Sequence, residues 1–124
     1  LDVELTICGR TVHVLNTHLG LWPRERPQQA DRLLELLSLS RRDLTILMGD
    51  LNEWHGWGKS LRGLRRVFGS PAAPVTFPAR WPVLALDRIW IFPAQALLTV
   101  EAHDTPRSRL ASDHLPVKAD IYLP

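Results

Sequence analysis

Asp50 and Asn52 stand two apart, immediately after the apolar run Thr45 to Met48 and a glycine, in the stretch "TILMGDLNEW". In extended backbone, side chains two apart leave the same face, so this pair is expected to reach into one common space. A carboxylate can accept a proton from water, and a carboxamide can donate a hydrogen bond to an anionic oxygen. The same two residue types also close turns by bonding their own backbone, and the glycine favours a bend, so both readings stand.

Further polar residues punctuate the chain in the same way. Asp113 and His114, adjacent in "ASDHLPV", offer a hard oxygen for a cation and an imidazole able to move a proton or contact a phosphate. The alternative is a solvent loop in which Ser112 and Asp113 make a turn. Asp87 opens "LDRIW", where a carboxylate caps a strand, forms a surface ion pair or orients a histidine. His18 closes "LNTHL", a place where a lone histidine is usually structural or solvated.

Each of these residues lies at the edge of an expected element. Val3, Leu5 and Ile7 alternate with Asp2, Glu4 and Thr6, which predicts a half-buried strand from the first residue. Cys8, Gly9 and Arg10 supply a turn, and Thr11 to Thr17 an antiparallel partner ending at His18. Pro23 and Pro27 mark a helix entry. Ala30, Leu33, Leu34 and Leu37 form one helical face, with Asp31, Arg32 and Glu35 turned elsewhere. Thr45 to Met48 reads as a short strand buried on both faces. A glycine-bearing loop, "HGWGKS", precedes a second helix with Leu61, Leu64 and Val67 on one side, Arg62, Arg65 and Arg66 on the other, and Gly63 weakening it. Pro71, Pro74, Pro78 and Pro82 make a loop. Strands resume at residues 88–92, 97–102 and 116–122. This pattern predicts a mixed α/β layered domain whose polar candidates sit at strand ends, where a rigid sheet aims side chains from loops.

Composition narrows little beyond that. The 124 residues, 45% hydrophobic and 23% charged, suit one globular domain. The absence of an apolar run near eighteen residues argues against a membrane span, and the opening residues lack a secretion-signal pattern. A soluble, cytoplasmic protein is the expectation. The single Cys8 allows no internal disulfide, and a formal charge of +2 would tolerate a phosphate-bearing partner without pointing to one.

The ordered series "NTHL", "GDLN", "LDRI" and "SDHLP" resembles the endonuclease/exonuclease/phosphatase superfamily, which includes DNase I-like nucleases, abasic-site endonucleases, neutral sphingomyelinases and inositol-polyphosphate 5-phosphatases. Arg26 and Gln29 also look like that family's habit in the helix after "NTHL", and "TFPARWPVLALDRIW" resembles a bacterial subgroup of it. The resemblance implies an α/β (α+β) fold, a DNase I-like layered β-sandwich flanked by helices. It implies that Asp50 positions or deprotonates the attacking water, and that Asn52 orients its surroundings and touches the phosphate. It further implies that His114 contacts the phosphate and shares proton transfer, with Asp87 holding its ring. His18 would stabilise charge on the phosphoryl oxygens, and Asp113 would lie in the metal region. Mg²⁺, with Mn²⁺ as a substitute, is the implied cation.

Members of that family draw a metal-binding Glu and an early Asn from an N-terminal half; Glu4, inside an amphipathic strand, does not match. On this resemblance residues 1–124 correspond to a single partial domain, the C-terminal half, with one apolar sheet face bare and open to self-association. The implied function is a metal-dependent phosphoester hydrolase acting on nucleic acid, phospholipid or another phosphate ester; the alternative is a noncatalytic remnant or phosphate-binding module. Trp54, His55 and Trp57 follow "GDLN" and either line the cleft, against a base or lipid head group, or cover the end of the core. The Arg62, Arg65 and Arg66 face reads as solvated, and His13, His103 and Asp104 receive no role.

Overall fold

The structure, a computed structural model, describes residues 1–38, 43–54 and 61–123. The elements run β1 (Asp2–Ile7), β2 (Arg10–His18), α1 (Arg26–Ser38), β3 (Leu44–Asp50), α2 (Arg62–Phe68), β4 (Asp87–Phe92), β5 (Leu97–Ala102), α3 (Ser108–Ala111) and β6 (Val117–Ile121). The expected loop "HGWGKS", with His55 and Trp57, lies outside the described residues.

β1 to β4 form one sheet in sequence order, and β5 pairs with β6 in a second. Cys8 and Gly9 both have positive φ (51° and 77°), which matches a two-residue hairpin turn to the strand twist and pairs Ile7 with Arg10. β2 and β3 run parallel, so the chain must cross over between them, and α1 makes that crossing. β3 and β4 are antiparallel.

Strand alternation sorts the side chains into two cores. Leu15, Leu47 and Trp90, aligned across β2, β3 and β4, pack with Ala30 and Leu33 of α1 and Leu64 and Phe68 of α2. The opposite face carries Val12, Val14, Leu44 and Ile91, against which Leu97 of β5 and Ile121 of β6 pack. The result is three layers: helices, a four-stranded sheet, and a two-stranded sheet. Each fully buried leucine here, such as Leu64 or Leu47, contributes roughly 1.5–3 kcal/mol.

Three expectations change. β1 is not half-buried: it is the sheet's edge, and its apolar Leu5 and Ile7 are 44% and 38% exposed because no described element covers them. Val67 is exposed, and Phe68 takes its place in the core, so the buried stripe of the second helix runs through Leu61, Leu64 and Phe68. β3 is fully buried only at Leu44, Thr45 and Leu47, since Ile46 and Met48 on the other face are partly covered. Gly63 gains a reason: a Cβ there would collide with Leu34 Cδ1, so the glycine lets α2 approach α1. Among the described residues, no helix is long and apolar enough to cross a membrane.

Candidate active site

His18, Asp50 and Asp87 occupy one rung of the sheet. His18 pairs with Asp50 across β2 and β3, and Asp50 with Asp87 across β3 and β4. By strand parity they share the face of Val14, Ile46 and Ile91, so the site opens on the side of the two-stranded sheet, away from the helices. Gly49, just before Asp50, has φ +136°, and a Cβ on it would run into the Thr17 carbonyl oxygen. Glycine is therefore required for the ends of β2 and β3 to come this close.

The extended geometry expected from Asp50 to Asn52 is not what forms. Asn52 has φ +49° and is buried. Its backbone N–H donates to Asp50 Oδ1 at 2.8 Å, and its Nδ2 donates to the Leu19 carbonyl at 2.7 Å. The turn reading holds: the strand ends at Asp50, the chain turns left-handed, and Asn52 ties the exit of β3 to the exit of β2. Leu19 N–H donates back to the Asp50 carbonyl at 2.9 Å. Arg26 and Gln29 brace the same junction. Arg26 Nη1 donates to the carbonyls of Leu21 and Asn52 (3.0 and 2.6 Å), and Gln29 Oε1 accepts the Gly20 N–H (2.8 Å).

His114 arrives from the loop between α3 and β6. Its Nδ1 faces Asp87 Oδ2 at 2.8 Å; a carboxylate only accepts, so this nitrogen carries the hydrogen. Thr76 Oγ1 donates to the same oxygen at 2.5 Å. The Phe77 ring leans on the imidazole with centroids 4.8 Å apart, and His114 N–H donates to Ser112 Oγ at 3.2 Å. Backbone bonds sew the two loops together, Ala79 N–H to the Asp113 carbonyl and Leu115 N–H to that of Thr76. The free nitrogen, His114 Nε2, looks across 4.0 Å at Asp50 Oδ2, which also stands 3.6 Å from His18 Nε2.

Neither of those distances is a hydrogen bond. A single oxygen placed about 2.8 Å from both Asp50 Oδ2 and His114 Nε2 closes a triangle over the 4.0 Å gap. Partial burial pulls the His114 pKa down, but the hydrogen bond to Asp87 and the charges of Asp87, Asp50 and Asp113 outweigh it, and the pKa stands above the ordinary 6.5.

The structure thus brings together four of the sequence-derived candidates: His18, Asp50, Asp87 and His114. Asn52 is adjacent but turned into the interior. Asp113 is exposed, with Oδ1 at 3.3 Å from Ser112 Oγ. Among the described residues, no group of three or more His, Cys, Asp or Glu side chains converges as a metal site. These residues do not by themselves fit a complete divalent-cation site. Sequence reasoning missed Thr76 and Phe77, whose only signal was the "TFP" triplet.

Comparison with known proteins gives the family and the fold. Residues 3–114 match the Endonuclease/Exonuclease/phosphatase family, and the chain belongs to it. It is similar to the uncharacterized protein YbhP of Escherichia coli K12, at 35% identity over 93% of this chain and 48% of that protein. The chain spans about half the length of the curated relatives it matches. Its fold is that of an endonuclease/exonuclease/phosphatase from Bacteroides vulgatus (TM-score 0.71, 18% identity, 94% of this chain and 51% of that one). It also matches a Staphylococcus aureus beta toxin variant with bound magnesium ions (TM-score 0.73, 17% identity, 98% and 57%). Members of the family are typically metal-dependent nucleases or phosphatases.

Proposed function

We propose that this chain is part of a metal-dependent phosphoester hydrolase, in which Asp50 and His114 assist attack of water on a phosphate. The observation that carries this reading is the two-faced placement of His114, with Nδ1 held by Asp87 and Nε2 facing Asp50 across a gap that admits one oxygen. Asp50, as carboxylate, accepts a proton from the attacking water. His114, in its protonated form, donates from Nε2 to a phosphoryl or leaving-group oxygen. His18, 74% exposed at its side chain, swings to the developing charge on the phosphoryl oxygens. Asn52 positions Asp50 through its backbone N–H, which Asp50 Oδ1 accepts, while its side chain fixes the turn on the Leu19 carbonyl. Mg²⁺, replaceable by Mn²⁺, belongs to the proposal: Asp113 would lie beside it, and its remaining ligands would come from outside the described residues, in a longer domain of which this chain is one part.

The test is hydrolysis of bis(4-nitrophenyl) phosphate by the full-length protein with Mg²⁺. Asp50→Ala and His114→Ala are each expected to lower kcat by about 10²–10⁴-fold. Unchanged rates in both variants would sink the assignment. A second reading, a phosphate-binding module without turnover, draws support from the lack of a converged metal-holding group among the described residues. Phosphate binding by a wild-type protein that turns over no diester under any divalent cation would establish it.

A further inference from the structure

Three tryptophans stand out from the described residues because they are far from buried: Trp22, Trp54 and Trp81 are 72%, 60% and 79% exposed, while Trp90 sits in the core at 3%. Each lies on a loop at the same end of the four-stranded sheet. Trp22 follows the exit of β2 beyond His18, Trp54 follows the exit of β3 beyond Asp50, and Trp81 precedes the entry of β4 at Asp87. The three strand ends that form the rung of the candidate site therefore each carry an exposed indole nearby.

The described parts of these loops are tied to the rest of the fold. Trp22 and Trp54 line one cleft of about 710 Å³ with Leu21, Pro23 and Arg26, and Arg26 bonds the backbone of both loops. Trp81 tips a loop closed by the Phe77–Leu84 bridge, whose base also supplies Thr76 to Asp87 and Phe77 to His114. Aliphatic side chains accompany the indoles: Leu21 is 67% and Val83 69% exposed. Among the described residues of these loops, Arg24 and Arg80 are exposed cations, against the one exposed carboxylate of Glu25.

Resting on the phosphoester reading above, we propose that Trp22, Trp54 and Trp81 form a rim that docks this site on an anionic phospholipid bilayer, so that the substrate is a lipid head-group phosphoester. Tryptophan settles at the level of the head groups, with its ring in the apolar boundary and its N–H in water, and exposed aliphatics gain by entering the acyl layer. Arg24 and Arg80 complement lipid phosphates. Single-stranded nucleic acid would instead call for a basic groove following the backbone, and it offers exposed leucine and valine no comparable gain. The lipid surface is the occupant that uses all of these side chains.

The experiment separates docking from chemistry. Binding is read on the full-length Asp50→Ala protein without metal, by sedimentation with phosphatidylcholine–phosphatidylglycerol vesicles, and turnover is read separately on wild type with the soluble diester, so either reading can fail alone. The expected result is vesicle binding that weakens at least about tenfold in the triple variant Trp22→Ala/Trp54→Ala/Trp81→Ala. Brominated phosphatidylcholine in the vesicles is expected to quench the fluorescence of the unmutated protein, a readout independent of whether the triple variant folds. The proposal is overturned by absent vesicle binding, by no brominated-lipid quenching, or by tryptophans that acrylamide cannot reach in the full-length protein, which would make the rest of that protein the occupant. It is also overturned if a thymidine oligonucleotide binds without vesicle binding and the triple variant abolishes that contact.

Discussion

Two histidine–aspartate pairs draw their aspartates from the same sheet and differ in what the second histidine nitrogen meets. On β1 and β2, His13 Nε2 lies 2.6 Å from Asp2 Oδ1; at the strand ends, His114 Nδ1 donates to Asp87 Oδ2 at 2.8 Å. The His13 side chain is 3% exposed and its Nδ1 is buried without a partner, while its aspartate lies 56% open to water. The His114 side chain is 25% exposed, its aspartate also accepts from Thr76, and its Nε2 faces Asp50. A short His–Asp contact does not make a site. Proton transfer needs a ring with one nitrogen held and the other reachable, and only the second pair has that arrangement.

The sharpest break of this comparison is to neutralise each aspartate in the full-length protein. Asp87→Asn is expected to lower kcat on the soluble diester by about 10²–10⁴-fold, because it removes the charge and acceptor that hold His114, whereas Asp2→Asn stays within about twofold. Equal losses would erase the distinction between the pairs.

Next in size is the backbone at the two ends of β2. Gly49→Ala places a Cβ against the Thr17 carbonyl at φ +136°, and its expected cost is about 3 kcal/mol or more in chemical denaturation. Gly9→Ala, at φ +77° with open space around it, is expected to cost about 1 kcal/mol. Parity between the two would show that the site end is no more tightly constrained than the hairpin.

A smaller effect is expected from Thr76→Val, which keeps the shape and deletes one hydrogen bond to Asp87 Oδ2. Loss of about 1 kcal/mol of positioning corresponds to roughly a fivefold fall in kcat, accompanied by a displaced pH profile. A fall in kcat with no change in the profile would mean that Thr76 acts on packing alone.

The smallest is the titration itself. By NMR, His114 is expected to titrate above 6.5, and Asp87→Asn is expected to bring it down. Because the folded pKa is raised, the stabilisation from this group is complete below about 6.5 and is lost as pH rises through the folded value. A His114 titrating at or below the ordinary value would remove the electrostatic half of the comparison.

Much of this molecule was legible because its signals are local. The hairpin around Cys8 and Gly9, the 3–4 spacing of α1 and the alternation in β6 are set by neighbours a few residues away, and all three elements form where periodicity places them. The candidates His18, Asp50, Asp87 and His114 were visible because each stands where an apolar pattern stops, and strand ends come together when the strands pair.

The local signals did not carry the rest. Asn52 follows a strand, yet its turn depends on the Leu19 carbonyl, 33 residues distant in sequence, and that bond removes it from the face of Asp50. Thr76 looked like loop until β4 brought Asp87 against it, and Val67 lost its place to Phe68 only when α2 met the sheet.

The sequence by itself determined the strands and the two longer helices, the hairpin turn, the family and the strand-end residues able to do chemistry, since periodicity and motif order are written along the chain. Tertiary structure alone decided which face the rung presents, which histidine has a reachable nitrogen, and that the loops carrying three exposed tryptophans lie at one end of the four-stranded sheet. Those outcomes follow from register and packing between residues far apart, such as Asp87 and His114, separated by 27 positions and joined at 2.8 Å.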